Sequence, residues 1–405
     1  MRILILATMY PDTLACGYRH KLYRLLQGYH RHGHHVDLMA FIPPGSKPTL
    51  HRGLVEPWCD RIFLFENTVV PARRSVRRWL GALRSLDSNS LGCSSRALAA
   101  ELGGMLRDSP PDLVQLDGYP MLQYGKYVSR VPCVAFPHDC YTLSLESEKD
   151  KSPRNAVRLA LQRLKVRNME RRYNTFSVCF FVARPDAERA RELSPGTNAA
   201  WAPNGVDADY FAPAGELAEP DTIAFHGNMA FPPNVEAATW FMREVWPTIK
   251  ARHSKSRFLV VGANPDQRVL DVARGDSRIV VTGSVSDIRP HLQRAQVLVV
   301  PMRSGGGIKN KVLEGMALSK PVVATGLAMA GIERAIVGEH FMLADTPTQF
   351  IEVIGGLWQS AERTLQIGTK ARSLVQAHYS WESVQDFVQN LLLQAARQPG
   401  LSGKL

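Results

Sequence analysis

The sequence has no long hydrophobic run, and none of its apolar stretches approaches the roughly 20 residues needed to cross a bilayer. The N-terminus, MRILILATMYP, has a single arginine and only a short apolar stretch before a proline. This pattern favours a buried first strand over a signal peptide. We therefore expect a cytoplasmic protein.

Cysteine motifs are missing as well. The six cysteines of the 405-residue chain form no CxxC pair and have no zinc-like spacing (Cys16, Cys59, Cys93, Cys133, Cys140 and Cys179). In an unsecreted chain of this size such cysteines are most often reduced thiols, so no metal site is expected. No GxGxxG motif follows the first strand of either half, which argues against a standard dinucleotide-binding fold.

An excess of basic residues is found almost only in the first half of the chain. Residues 1–200 contain 29 Lys and Arg against 18 Asp and Glu, whereas residues 201–405 contain 20 against 19. The basic excess is concentrated in 71–84 and 154–172, and the second stretch has apolar residues near helical spacing. Such stretches suit anionic lipid surfaces and predict peripheral contact with the inner face of the plasma membrane. A solvated helix face is the equal alternative. Nucleic acid is not expected, because no binding motif is present.

Eleven short apolar runs alternate with helical patterns and predict β-strands. Six lie in the first half (2–7, 35–41, 61–65, 113–117, 133–139, 179–183) and five in the second (222–227, 257–263, 279–283, 297–301, 321–325). The runs are continuous and rich in Val, Ile and Leu, which indicates strands buried on both faces of parallel sheets. Two successive sets predict two doubly wound α/β domains.

The domain boundary is expected in the turn-rich segment 201–221, which contains three prolines and an Asn-Gly pair. The predicted domains are an N-terminal domain at 1–205 and a C-terminal domain at 206–380. A C-terminal helix at 381–405 is expected to pack back on the N-terminal domain.

The segment SGGGIKNKVLEGMALSKPVVAT, residues 304–325, follows a predicted strand and combines glycines, lysines and one carboxylate. Its three glycines at 305–307 let backbone N–H groups approach a ligand closely. A helix that begins near Ile308 directs its positive end at an anion, and Lys309 and Lys311 add charge for a diphosphate. A glycine turn with solvated lysines is the simpler alternative.

A carboxylate completes this segment. Glu314 lies seven residues beyond Gly307, which corresponds to about 10 Å along a helix axis. This distance suits a ribose hydroxyl of the nucleotide whose phosphates lie at the helix start. The segment therefore predicts a nucleotide diphosphate site.

Five segments together resemble the retaining glycosyltransferases of the GT-B fold, in the class of family 4. They are the N-terminal glycine turn and helix, a strand that ends in a histidine, the PNGVD signature, a base-contacting loop and the segment described above (11–39, 131–139, 201–211, 282–292 and 304–325). The markers occur in the family's order and approximate spacing over almost the whole chain. The resemblance implies two Rossmann-like domains that face each other across a cleft, with the acceptor on the first domain and the nucleotide sugar on the second.

The resemblance also implies roles for individual residues. Three would be catalytic (His138, Lys309 and Glu314), and three would lie on the acceptor side (Gly17, Arg19 and His138). The donor would contact a larger set (Gly227, Asn228, Val285, Gly305, Gly306, Gly307, Lys309, Lys311 and Glu314). Asn204 is predicted to be a turn former and Asn234 a helix cap.

Two positions depart from the family pattern. The usual donor motif has two glutamates eight positions apart, and here Glu314 is the second while Gly306 takes the place of the first. The segment 225–237 also lacks the Arg or Lys that many members carry soon after the first strand of the C-terminal domain, so Lys309 and Lys311 would supply that charge.

The implied reaction transfers a sugar from a nucleotide-diphosphate sugar to a hydroxyl of a lipid-linked or saccharide acceptor, with retained anomeric configuration. No metal or other cofactor is expected, and the pathway would be bacterial exopolysaccharide, capsule or lipopolysaccharide synthesis. Gly306 leaves a non-catalytic nucleotide-sugar-binding scaffold as one alternative. A nucleotide-sugar epimerase of the same fold is another, although the sequence does not identify the extra acidic and histidine groups that it needs.

Overall fold

The computed structural model describes residues 1–12, 17–46, 53–67, 93–147, 153–215, 218–305 and 308–397. The chain divides into two compact units. The first consists of Met1–Ala202 together with the segment that begins at Gln385, and the second is Pro203–Val384. None of the helices in the described part of the chain is long and apolar enough to span a membrane.

The first unit is built on a seven-stranded parallel sheet with the order β3-β2-β1-β4-β5-β6-β7. Its strands are β1 (Arg2–Ala7), β2 (His35–Ile42), β3 (Arg61–Glu66), β4 (Leu113–Asp117), β5 (Cys133–His138), β6 (Val178–Phe181) and β7 (Ala199–Trp201). Its helices are α1 (Gly17–Arg31), α2 (Arg96–Asp108), α3 (Tyr141–Ser147), α4 (Pro153–Glu170) and α5 (Arg184–Leu193). The central strands β1 and β4 are buried almost throughout, as continuous apolar runs require.

The second unit has a six-stranded parallel sheet with the order β10-β9-β8-β11-β12-β13. Its strands are β8 (Thr222–His226), β9 (Arg257–Val261), β10 (Ile279–Val281), β11 (Val297–Val300), β12 (Val322–Ala324) and β13 (Met342–Leu343). Its helices are α6 (Pro232–Trp240), α7 (Trp246–Arg252), α8 (Gln267–Ala273), α9 (Arg289–Arg294), α10 (Asn310–Ala317), α11 (Gly326–Met329), α12 (Pro347–Gln359) and α13 (Ala361–His378). A π-helical turn, Phe241–Val245, joins α6 to α7.

The last helix, α14 (Trp381–Ala396), begins in the second unit and continues into the first. Within the first unit it is tied to α1 and to the start of β2. Arg31 forms an ion pair with Asp386, and His34 lies 2.8 Å from Gln389. The part of α14 from Gln385 onwards therefore packs on α1 and the turn that leads into β2.

The prediction of two parallel-sheet α/β domains is confirmed, and all eleven predicted strands are present. Two further strands were not predicted, β7 and β13, which lie at the edges of the two sheets and have only three and two residues. Such short strands carry no hydrophobic run that a sequence pattern could detect. Both sheets place their first strand next to the fourth, which is the strand order of a Rossmann fold.

Candidate functional site

In the second unit, β8 and β11 are neighbours at the point where the strand order reverses. Ligands of open α/β sheets bind outside the carboxyl ends of the strands at such a point. The residues that follow β8 are Gly227 and Asn228, and β11 leads into the segment that contains Gly305 and α10. The fold thus brings together two of the segments predicted from the sequence to bind the donor.

Glycine is required both in the turn after β8 and at the residue that follows β9. Gly227 has φ +149°, and a Cβ atom there would lie 2.6 Å from Asn234 Nδ2. Gly262, which follows β9, has φ +146°, and its Cβ would lie 1.9 Å from the carbonyl oxygen of Gly227. The two backbones therefore pack directly on each other, and the turn presents bare peptide groups.

Asn234 holds this turn in place. Its side chain is buried, and its Nδ2 donates to the carbonyl oxygen of Asn228 at 2.9 Å. Its Oδ1 is buried and has no hydrogen-bond partner among the residues that the structure describes. The prediction that Asn234 caps a helix is wrong, because α6 begins two residues earlier at Pro232 and Phe231 occupies the N-cap position.

Helix α10 begins at Asn310, two residues later than expected, and Lys309 occupies its N-cap position. The Lys309 side chain is buried, and its Nζ donates to the carbonyl oxygen of Gly305 at 3.0 Å. Gly305 has φ +100° and lies against Pro233 of α6. Gly306 and Gly307, which complete the predicted glycine turn, lie outside the described residues.

Lys311 and Glu314 extend from α10 toward the end of β8. The Cε atom of Lys311 lies 3.5 Å from the position that a Cβ on Gly227 would occupy. Burial lowers the pKa of Lys311, and the neighbouring Glu314 carboxylate opposes that shift. Glu314 Oε2 lies 2.6 Å from His226 Nε2, and the two side chains are 22% and 4% exposed.

Two other segments predicted from the sequence contact this group. The Oγ1 atom of Thr282, at the start of the loop that contains Val285, accepts a hydrogen bond from the backbone N–H of Gly262 at 3.2 Å. That contact ties the loop to the glycine that packs on Gly227. Asn204, from the PNGVD signature, donates to the side chain of Asn310 at the first position of α10.

The predicted acceptor-side residues lie in the first unit. His138 is the last residue of β5, has φ +71°, and places Nε2 3.1 Å from Asp117 Oδ1 at the end of β4. The ring of Tyr18 meets the His138 imidazole edge-on at 5.2 Å. Gly17 is the first residue of α1, and Arg19 forms an ion pair with Asp12.

Sequence reasoning did not identify Asp117 and His226, and it missed the role of Asn234 in supporting the turn. Asp117 and His226 each end a predicted strand, and a polar residue at the end of an otherwise apolar run is a signal that could have identified both. Among the described residues, no group of three or more His, Cys, Asp or Glu side chains is arranged to hold a metal ion.

Comparison with known proteins places this arrangement in a family. Residues 220–360, which contain β8, α6 and α10, match the family model "Glycosyl transferases group 1". This segment is a group 1 glycosyltransferase domain. The match covers the glycine turn after β8 and the helix that carries Lys311 and Glu314, so the geometry described above belongs to that domain.

Solved structures similar to the whole chain are glycosyltransferases of the GT-B fold. Sucrose-phosphate synthase from Thermosynechococcus elongatus matches with a TM-score of 0.70 and 16% identity, over 97% of this chain and 98% of that one. HepE from Anabaena, solved with UDP and glucose, matches with a TM-score of 0.64 and 15% identity, over 97% and 99%. The chain that contains the group 1 domain therefore has the GT-B fold.

A curated protein from the cps region of Klebsiella pneumoniae is 20% identical to this chain over 169 residues. The match covers 40% of this chain and 43% of that protein, less than half the length of each.

Proposed function

We propose that this protein is a glycosyltransferase whose second unit binds a nucleotide-diphosphate sugar and whose first unit binds a hydroxyl acceptor. One observation carries the proposal: the bare turn at Gly227, the amine of Lys311 and the carboxylate of Glu314 meet at the switch point of the second sheet. They come from two segments far apart in sequence. The turn and Lys311 suit the diphosphate of a nucleotide sugar, and Glu314 suits its ribose. The group 1 domain in the same segment supports this assignment.

The chemistry follows from where charge develops during transfer. As the bond between the sugar and the diphosphate breaks, negative charge grows on the leaving nucleoside diphosphate. Backbone N–H groups at the 227–228 turn and the cations of Lys309 and Lys311 would stabilise that charge. Because burial lowers the pKa of Lys311, an incoming diphosphate would favour the charged amine by supplying the opposite charge.

Glu314 would bind the ribose, with its carboxylate accepting hydrogen bonds from the hydroxyl groups. His138 would contact the acceptor from the first unit, where Asp117 holds its imidazole. The transfer would retain the anomeric configuration and would use no metal or other cofactor. Support for the retaining course comes only from the family resemblance of the sequence.

The acceptor is proposed to be a lipid-linked or saccharide hydroxyl in polysaccharide or lipopolysaccharide synthesis in the cytoplasm. The structural relatives include the lipopolysaccharide outer core galactosyltransferase WaaB, with a TM-score of 0.64 and 10% identity. The relative from a cps region points the same way. Peripheral membrane contact through the two basic stretches is part of the proposal. Residues 71–84 lie outside the described residues, and most of 154–172 forms α4.

Calorimetric titration with UDP, GDP and dTDP, on the wild type and on Glu314→Ala, tests the donor site. We expect one nucleotide to bind, and the variant to bind it more weakly by about 1–3 kcal/mol, since the hydroxyl contacts are lost. Glu244→Ala is the matched control, because Glu244 is an exposed glutamate in the π-helical turn of the same unit. Absence of binding by the wild type, or equal binding by Glu314→Ala, would refute the assignment.

A further inference from the structure

His226 is an ionisable side chain inside an apolar strand. It is the last residue of β8, which pairs with β9 on one side and with β11 on the other. The imidazole is 4% exposed, and its Nε2 lies 2.6 Å from Glu314 Oε2. A buried imidazole needs a hydrogen-bond partner, and here that partner is the carboxylate expected to bind ribose.

The contact constrains Glu314 more than it constrains His226. The histidine belongs to a central strand, whereas the glutamate extends from α10 through three rotatable bonds and is 22% exposed. A long side chain loses about 1–2 kcal/mol of rotamer entropy when it is fixed. If His226 fixes the carboxylate before the nucleotide arrives, that loss does not reduce the affinity for ribose.

The residues next to His226 also lie beside the proposed donor site. Phe225, the preceding residue of β8, has its ring 5.9 Å from Lys311 Nζ, and the following residue is Gly227. Phe225, His226 and Gly227 thus lie beside Lys311, Glu314 and Asn234 respectively. A carboxylate oxygen has two lone pairs, so the bond from His226 leaves capacity to accept ribose hydroxyls.

We propose that His226 is a positioning residue that holds the Glu314 carboxylate in the orientation for the ribose hydroxyls. The site would therefore select ribonucleotides over analogues that lack those hydroxyls. This inference rests on the proposed function, because it assumes that a nucleotide binds at α10. It adds a specificity-determining residue that neither the sequence motifs nor the family match identified.

The test compares UDP and GDP with their 2′,3′-dideoxy analogues by calorimetry, in the wild type and in His226→Leu, His226→Gln and Glu314→Ala. For the nucleotide that binds, the wild type should favour the ribose form by about 10-fold or more. His226→Leu should reduce that ratio to nearly the value of Glu314→Ala. His226→Gln keeps an N–H donor and should retain most of the ratio.

The dideoxy analogue is the internal control. Its affinity should stay within about threefold of wild type in His226→Leu, because the diphosphate contacts are intact. If both forms of the nucleotide lose affinity equally in His226→Leu and in His226→Gln, the histidine is only structural and the inference is overturned. If His226→Leu keeps the wild-type preference for the ribose form while Glu314→Ala loses it, the inference about His226 is overturned and the donor site is not. Binding of dTDP but of neither UDP nor GDP overturns the inference alone, and a wild type that binds none of the three overturns it together with the donor site.

Discussion

Replacement of Gly262 by alanine is the sharpest test of how the site is built. The glycine has φ +146°, and the new Cβ would lie 1.9 Å from the carbonyl oxygen of Gly227, 2.9 Å from its carbonyl carbon and 3.3 Å from its nitrogen. All three atoms are backbone, so no side-chain rotation can relieve the overlap. Either β9 must move away from β8, or the turn at Gly227 must be displaced.

The cost has two parts. A left-handed backbone costs a residue with a Cβ about 1–2 kcal/mol, and an overlap inside a packed region costs about 1–3 kcal/mol. We therefore expect Gly262→Ala to lower the free energy of unfolding of the second unit by about 2–5 kcal/mol. Gly275→Ala provides the matched control, because Gly275 has φ +90° but its Cβ would meet no atom of the described part of the chain within 4 Å. That variant should lose only the first part.

Urea titration of both variants, with hydrogen exchange of the β8 and β9 amides, measures the difference. Exchange at β8 and β9 localises the effect to the second unit, which a global transition of a two-unit chain cannot do. Nucleotide diphosphate affinity should fall in Gly262→Ala and remain near wild type in Gly275→Ala. Equal destabilisation by the two substitutions would show that the contact between Gly262 and Gly227 is not close, and the account of the turn would fail.

Two further predictions concern other buried polar groups. Lys21 donates to the carbonyl oxygen of Ala202 at 3.0 Å, and burial lowers its pKa from 10.5 to about 8. Between those two pH values the unfolded chain holds a proton on Lys21 that the folded chain has lost, so a rise in pH stabilises the fold. In urea titrations from pH 8 to 10.5, the free energy of unfolding of the wild type should therefore rise by about 3 kcal/mol relative to that of Lys21→Met. A difference that does not change with pH would contradict this. Asn234→Ala removes the amide that holds Asn228, so calorimetry should show weakened binding of UDP but not of uridine, and equal losses for both would disprove the role.

The sequence was most informative where the physical signal is local. Runs such as RILILA in β1 and TIAFH in β8 are apolar throughout because both faces of a parallel strand are covered, and they predicted the strands correctly. The edge strands β7 and β13 have too few residues for any pattern. Lys311 and Glu314 could be singled out because glycines, lysines and a carboxylate share one short segment.

The missed residues depend on contacts that form only when the chain folds. The partner of His226 is Glu314, 88 positions away, and the local sequence does not identify it. Asn234 stands just after two prolines, where a capping role was the natural interpretation. Its actual contact, the carbonyl oxygen of Asn228, depends on how the turn after β8 folds back on α6.

The two departures from the family pattern concern different parts of the donor. The segment 225–237 lacks the basic residue that many members carry, which removes one attraction for a diphosphate. Lys311 is placed to replace that charge, because its Cε lies 3.5 Å from the position that a Cβ on Gly227 would occupy. The glutamate that Gly306 replaces contacts the sugar in the family, so its loss bears on recognition of the sugar and not on the charge that faces the diphosphate.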